Sequence, residues 1–209
     1  MKIIKAGVQL FNDFKGKEMI KKLEMIGRTC YKSEAKITDD SAEAFVRNLI
    51  KNKHFAMLEH ASITVKFIVD RGISHEIVRH RIASYAQEST RYCNYSKDKF
   101  NKELTFIKPC FLQEGTTVFE VWKNNMQQAE TAYMRMLEIG MLPEHARSVL
   151  PNSLKTELVM TANLREWRSF LELRALNKSG KAHPQMLEVT TPLLSELKRI
   201  LPSVFEDLK

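Results

Sequence analysis

At 209 residues, with 44% apolar and 28% charged side chains, the chain is long enough for one substantial core and has the make-up of an ordinary globular protein. No apolar run approaches bilayer-spanning length, and Met1–Lys5 is not followed by a signal-peptide core, so no membrane partner and a cytoplasmic location are expected. The formal charge of +8 favours anionic partners without choosing among nucleic acid, nucleotides and phosphorylated cofactors. Cys30, Cys93 and Cys110 are an odd number with no CxxC, which reads as reduced thiols. No Pro/Gly/Ser-rich linker divides the chain, so residues 1–209 are expected to form a single domain.

Lys2 to Leu10 reads as an opening strand, and Gly16 to Cys30 as an amphipathic helix with Met19, Ile20, Leu23, Ile26 and Cys30 at helical spacing. Asp40-Ser-Ala-Glu43 has the form of a capping box opening a second helix to about Lys51. His54 and His60 fall on different faces of a helix, which argues against a metal there despite the nearby Glu59. Ala61 to Asp70 sets Ala61, Ile63, Val65, Phe67 and Val69 on one face and Ser62, Thr64 and Lys66 on the other, the period of a half-buried strand. Arg71-Gly72 then turns the chain, and Ile73 to about Arg81 reads as a short helix with Ser74 near its start. His75-Glu76 lacks the second His of a zinc-protease helix, Arg79 standing in its place, so no metal is expected.

The next stretch, Arg79 to Tyr92 (RHRIASYAQESTRY), is a poor recipe for a core. Arg79, Arg81 and Arg91 face a single acid, Glu88, with Ser84 and Ser89 as hydroxyls and Tyr85 and Tyr92 as flat surfaces. Clustered guanidiniums resist burial unless an anion compensates them, and a phosphate suits. The segment is expected to leave the helix as an irregular loop of small and polar residues, a common seat for binding groups.

Downstream, Leu104 to Lys108 reads as a strand and Gly115 to Glu138 as a long helix with Val118, Trp122, Ala129, Tyr133, Met136 and Leu137 buried and Gly140 as its stop. Pro143 to Leu150 reads as a short helix carrying Arg147, and Leu154 to Ala162 as a strand. Asn163 with Glu166 makes a capping box for a helix through Leu176, and a last helix runs from about Gln185 to Leu201 with a kink or break at Pro192.

Arg79-His80-Arg81, seven residues, then Ser89, followed by Arg91 and Tyr92, resembles the signature of the flavin-dependent thymidylate synthases. Ala146-Arg147-Ser-Val-Leu-Pro151, Asn163-Leu164-Arg165, Phe170-Leu-Glu-Leu-Arg174, and His183 with Gln185 resemble further elements of that family, so the likeness runs from about His54 to Gln185. The chain departs from many members at Glu76, Ala86 and Gln87, where Gln, Asn and Glu are common, and at Ala56, where a hydroxyl residue is common.

The resemblance implies an α+β fold, with an antiparallel sheet packed against long helices, in a homotetramer with shared active sites. The implied reaction converts dUMP to dTMP with methylenetetrahydrofolate as carbon donor, FAD as hydride carrier and NADPH as reductant. It further implies that Glu76, Arg79, Gln87, Glu88, Ser89, Thr90, Arg91, Arg147 and Arg174 hold dUMP. Arg79, His80, Arg81, Gln87, Asn163, Leu164 and Arg165 would hold FAD, with His54 and His183 near flavin and folate. Arg174 would be the catalytic cation at the uracil edge. A unit charge about 4 Å away at an effective dielectric of about 20 is worth roughly 4 kcal/mol gross, enough to matter for an enolate-like ring. Ser89 has no His-Asp relay and suits positioning rather than attack, and Cys93 lies beyond the motif. The rival reading is a non-catalytic protein binding nucleotides or single-stranded nucleic acid, with Tyr85, Tyr92 and Tyr95 as stacking platforms; on the family reading no nucleic acid is expected.

Overall fold

The computed structural model describes residues 1–11 and 15–209. Strands and helices are interspersed along the chain. They are β1 (Lys2–Ile4), β2 (Gly7–Leu10), α1 (Gly16–Thr29), α2 (Ser41–Lys51), β3 (Ser62–Asp70), α3 (Arg71–Ile77), β4 (Ala83–Gln87), β5 (Thr105–Ile107), α4 (Thr117–Glu138), α5 (Pro143–Ala146), β6 (Lys155–Asn163), α6 (Leu164–Arg174), α7 (Pro184–Ile200) and α8 (Pro202–Phe205). The expected α+β class is borne out, an antiparallel sheet packed with helices. Strands β2, β3, β6 and β4 lie side by side in that order. Strand β1 pairs separately and in parallel with β5, Lys2 opposite Thr105 and Ile4 opposite Ile107. The single opening strand is therefore two strands in different sheets, interrupted at Lys5-Ala6.

Strand β3 follows its sequence period closely. Ile63, Val65, Phe67 and Val69 are at most 1% exposed, while Thr64 on the other face meets Thr161 of β6 hydroxyl to hydroxyl at 2.9 Å. At its end the Asp70 carboxylate accepts from the Ile73 amide at 2.7 Å, the geometry of an N-cap. That cap starts α3 at Arg71, two residues ahead of expectation, and the helix stops at Ile77, before the basic cluster rather than through it. Gly72 fits inside this first turn because a Cβ there would lie 3.2 Å from the capping oxygen.

Four other expectations need correction. Ala83–Gln87 is not irregular but forms the edge strand β4. In α4 the buried residues are Phe119, Met126, Glu130 and Tyr133, and Val118 is 65% exposed. The phase is set by Thr116, whose hydroxyl accepts from the Phe119 amide at 3.3 Å, and Glu130 is drawn inward by the Met1 ammonium at 3.0 Å and the Leu104 amide at 2.7 Å. The capping box before α2 does not form. Ser41 instead donates to the buried Glu24 carboxylate at 2.8 Å, which Arg28 also engages. Helix α7 continues through Pro192 without a break, that residue being exposed.

The chain divides into two compact units, neither a continuous stretch. Met1–Gly7, Phe67–Arg79 and Tyr85–Val159 form one, and Val8–Lys66, His80–Ser84 and Met160–Lys209 the other. The first has a core of Tyr95, Leu104, Phe106, Met126, Tyr133, Ala146 and Leu154. In the second, α1 packs on α2, α2 on α8, and α6 and α8 on α7, with Leu23, Val46, Trp167, Phe170, Leu197 and Phe205 fully buried.

Candidate active site

Within the first unit, β4 ends at Gln87, whose side-chain amide donates to Ser74 at 2.9 Å and Thr156 at 3.3 Å. The chain then turns: the Glu88 amide donates to the Glu157 carbonyl at 2.9 Å, and the Ser89 carbonyl accepts from Cys93 at 2.9 Å. The Glu88 carboxylate accepts from the Tyr95 hydroxyl at 2.8 Å and the Lys155 ammonium at 2.9 Å. Burial alone would lower the Lys155 pKa, but its bonds to Glu157 and Glu88 outweigh this and hold it above its ordinary value. Burial first, then Glu88, pushes the Tyr95 hydroxyl and the Cys93 thiol up. Cys93 is thus kept as a thiol, which disfavours nucleophilic use.

This scaffold presents the basic groups. The Ser89 hydroxyl accepts from the Arg91 amide at 3.3 Å, Arg91 pairs with Glu144 at 3.2 Å, and Arg147 donates to the buried Thr90 hydroxyl at 3.3 Å. A cavity of about 290 Å³ opens here, lined by Arg71, His75, Thr90, Arg147 and Ser148, and by Leu150 to Asn152. Arg71 Nη1 is buried and has no hydrogen-bond partner among the described residues. A buried, unpartnered guanidinium nitrogen beside a second arginine is costly unless an anion joins them. Glu76 is half-buried on α3, and Arg79 is exposed just after it.

In the second unit the organising element is α6. Asn163 caps it, accepting from the Glu166 amide at 2.9 Å, so the expected capping role is realised. Leu164 is buried, its amide bonded to the Ala61 carbonyl at 2.9 Å. Arg165 is exposed and paired with Glu59 at 2.6 Å. At the other end of α6, Thr190 donates to the Arg174 carbonyl at 2.7 Å, and Arg174 Nε donates to His80 Nε2 at 2.9 Å. His80 is 8% exposed, packs edge-on against Phe170 at 4.8 Å, and has Glu166 3.8 Å from its Nδ1. Burial, and then the charge of Arg174, lowers its pKa to about 4, so it is neutral at pH 7. Burial raises the Glu166 pKa. His54 is exposed, as is Arg81, and His183 caps α7, accepting from the Gln185 amide at 3.3 Å.

The first unit thus contains Glu76, Arg79, Gln87, Glu88, Ser89, Thr90, Arg91 and Arg147, and the second His54, His80, Arg81, Asn163, Leu164, Arg165, Arg174 and His183. Sequence reasoning missed Arg71 and His75 as cavity-lining groups, and Lys155 and Tyr95 as the partners of Glu88. The one available signal was that Arg71 directly follows a strand whose end was already placed.

The depressed His80 pKa has a consequence for stability. A histidine kept neutral in the folded state contributes stability fully above about 6.5, its unfolded value, and loses it as pH falls toward 4. The loss is at most roughly 3 kcal/mol. Glu166, shifted the other way, works in the opposite sense. Urea unfolding between pH 7 and 4.5 should therefore show an acid-side decline in the wild type that His80→Gln reduces.

A family model described as thymidylate synthase complementing protein matches residues 14–203. The chain is 33% identical over 165 residues to the flavin-dependent thymidylate synthase of Pyrococcus abyssi, covering 78% of this chain and 66% of that protein. It is 31% identical over 190 residues to the Geobacter sulfurreducens protein of the same name, covering 88% and 79%. The aligned stretch thus spans about two thirds of the Pyrococcus relative's length. A crystal structure of a UMP/dUMP methylase, PolB from Streptomyces cacaoi, bound with 5-Br dUMP, superposes with a TM-score of 0.79 at 23% identity, over 99% of this chain and 96% of that one, and shares the fold. Taken with the motifs, the match over nearly the whole chain places this protein in the thymidylate synthase complementing protein family, the flavin-dependent thymidylate synthases.

Proposed function

We propose that the chain catalyses the reductive methylation of dUMP to dTMP, with methylenetetrahydrofolate as carbon donor, NADPH as reductant and FAD as the bound redox group. The observation that carries this is the cavity of Arg71, Thr90 and Arg147, with a buried guanidinium nitrogen left unpartnered, among the residues of the family's dUMP motif. Ser89, Arg91 and Arg147 hold the nucleotide, assisted by Thr90 and the backbone from Gln87 to Arg91, with Glu76 and Arg79 beside them. The Glu88 carboxylate, engaged by Lys155 and Tyr95, shapes the loop rather than touching the substrate.

The residues present fit FAD. In the second unit Arg81 and Arg165 are exposed guanidiniums suited to a pyrophosphate, and Asn163 adds a neutral polar group; the family motif assigns Arg79 and Gln87 of the first unit to FAD as well. The Arg165–Glu59 pair is exposed at both ends and worth about 1 kcal/mol or less, so it yields readily to a ligand. His80 and the Leu164 backbone complete this set, with His54 and His183 toward flavin and folate. When bound, FAD supplies the hydride that the nucleotide receives. Arg174 stands at the uracil edge and favours negative charge in the ring. The working form is a cytoplasmic homotetramer with sites shared between subunits, built from one domain of residues 1–209 whose two interleaved units cannot be separated by a single cut in the chain.

Protein reconstituted with FAD should bleach on anaerobic addition of NADPH at a rate altered by dUMP, and should form dTMP once methylenetetrahydrofolate is present. Ser89→Ala or Arg147→Ala removes a charge-assisted hydrogen bond of about 1.5–3 kcal/mol and should raise the KM for dUMP about 10- to 100-fold. Salt-sensitive, length-dependent binding of single strands with no flavin retained would favour the nucleic-acid alternative. That reading has lost support: Tyr95 is 6% exposed and bonded to Glu88, and the Tyr85 hydroxyl donates to the Ile77 carbonyl, which leaves Tyr92 as the exposed ring of the three.

A further inference from the structure

Arg174 is a long side chain at the last residue of a helix, where rotamer freedom is greatest, yet the role proposed for it needs a fixed charge. Holding such a side chain still costs up to about 2 kcal/mol in lost rotamers unless a contact compensates. We propose that His80 is the positioning residue for Arg174: its neutral ring accepts the Nε–H of the guanidinium and so sets the angle at which the cation is presented to the pyrimidine. The inference rests on the thymidylate synthase reading for the ligand, but the contact itself is a property of the ligand-free chain.

Four observations converge on it. The Nε-to-Nε2 distance of 2.9 Å is that of a real hydrogen bond, and Arg offers only donors, so His80 must present a bare Nε2. The neutral ring then carries its proton on Nδ1, the edge from which Glu166 Oε1 lies 3.8 Å away. The ring cannot swing, because it is 8% exposed and wedged edge-on against Phe170, itself fully buried. The backbone end of Arg174 is also held, through the Thr190 hydroxyl, which is itself fully buried. Arg174 is thus held at both ends, its backbone carbonyl by Thr190 of α7 and its guanidinium Nε edge by His80. The neighbouring charges match: protonating His80 would set two cations against each other, and Arg174 helps to keep its partner neutral.

Two substitutions separate positioning from packing. His80→Phe keeps a ring against Phe170 and removes the acceptor; His80→Gln loses the ring and keeps an acceptor within reach of Nε. The first readout needs no ligand: the ¹⁵N shifts of His80 in histidine-labelled protein should show a proton on Nδ1, a bare Nε2, and no titration between pH 8 and 5, whereas in Arg174→Met the ring should titrate at higher pH. The second uses the FAD-loaded enzyme and 5-fluoro-dUMP, whose ultraviolet spectrum reports ionisation at N3. The bound N3 pKa should rise toward that of the free nucleotide in His80→Phe and stay near wild type in His80→Gln. In turnover of dUMP, kcat should fall about 10- to 100-fold in the Phe variant and less than about fivefold in the Gln variant, with FAD occupancy measured in each. A proton on Nε2 in the wild type would overturn the contact. Equal losses in both variants, or losses that track FAD occupancy, would overturn the positioning role. A wild type that shows the Nδ1-H form but neither binds nor converts dUMP would overturn the thymidylate synthase reading, and the purpose assigned to the contact with it.

Discussion

Replacing Arg174 by Ala should lower kcat for dUMP methylation by about 100- to 1,000-fold while the protein stays folded and keeps its FAD. The gross attraction of a unit charge about 4 Å from the ring is roughly 4 kcal/mol at an effective dielectric of about 20. Desolvation offsets part of this, and a net 3–4 kcal/mol corresponds to about that fold-loss. The substitution spares the backbone contact. Arg174 is half-buried at the C-terminus of α6, and the bond from Thr190 goes to its carbonyl, which Ala retains. His80 loses its donor, and with it one of the two causes of its depressed pKa, so it should titrate nearer its ordinary value. Steady-state kinetics with thermal denaturation alongside checks the prediction. A large drop in Tm would reassign the loss to folding, and an unchanged kcat would remove Arg174 from the chemistry.

Arg168→Met, six residues earlier on the same helix, should do the reverse and act on stability. Arg168 is 6% exposed, and its fork meets both carboxylate oxygens of Asp207 at 2.7 Å. Its Nη1 also donates to the Val204 carbonyl, and the guanidinium lies 5.5 Å from the centre of the Phe55 ring. Breaking a buried pair by removing one partner costs about 3–5 kcal/mol, and the 46% exposure of Asp207 puts this case near 3. For a chain of this size that is a fall in Tm of about 6–12 °C. The hydrogen bonds from Arg168 hold the Asp207 carboxyl below its ordinary pKa, so the pair contributes above the usual carboxylate range and is lost as pH falls through the lowered value. The variant should therefore be less stable at pH 7 and less sensitive to mild acid. Arg165→Ala, on the same helix but in an exposed pair, should cost no more than about 1 kcal/mol. Similar losses from both would sink the burial argument.

These two arginines also illustrate what was legible in the sequence. Strand β3 could be read because its face alternation is complete and both faces have distinct chemistry. Strand β4 could not: Ala-Ser-Tyr-Ala-Gln has no apolar alternation, and its pairing with β6 supplies what its side chains do not announce. The start of α3 was misplaced because Gly72 looked like a turn, when the carboxylate of Asp70 was already capping the helix. The face of α4 was misjudged because a buried Glu130, matched by an N-terminal ammonium, breaks the rule that acids mark the outer face. Motif residues close in sequence, such as Ser89 to Arg91, were found together because proximity along the chain guarantees proximity in space. The contact of Arg174 with His80 spans 94 positions and leaves no local trace.

Helix α6 begins directly after Asn163 and ends at Arg174, an unbroken run of 11 residues about 16 Å long. It therefore acts as a ruler. Deleting one residue from its exposed face would turn everything beyond by about 100° and shorten the rod by about 1.5 Å, carrying Arg174 away from a histidine that is not on the helix. Length in this helix should tolerate no insertion or deletion, even at positions such as Ser169 where almost any side chain would be accepted.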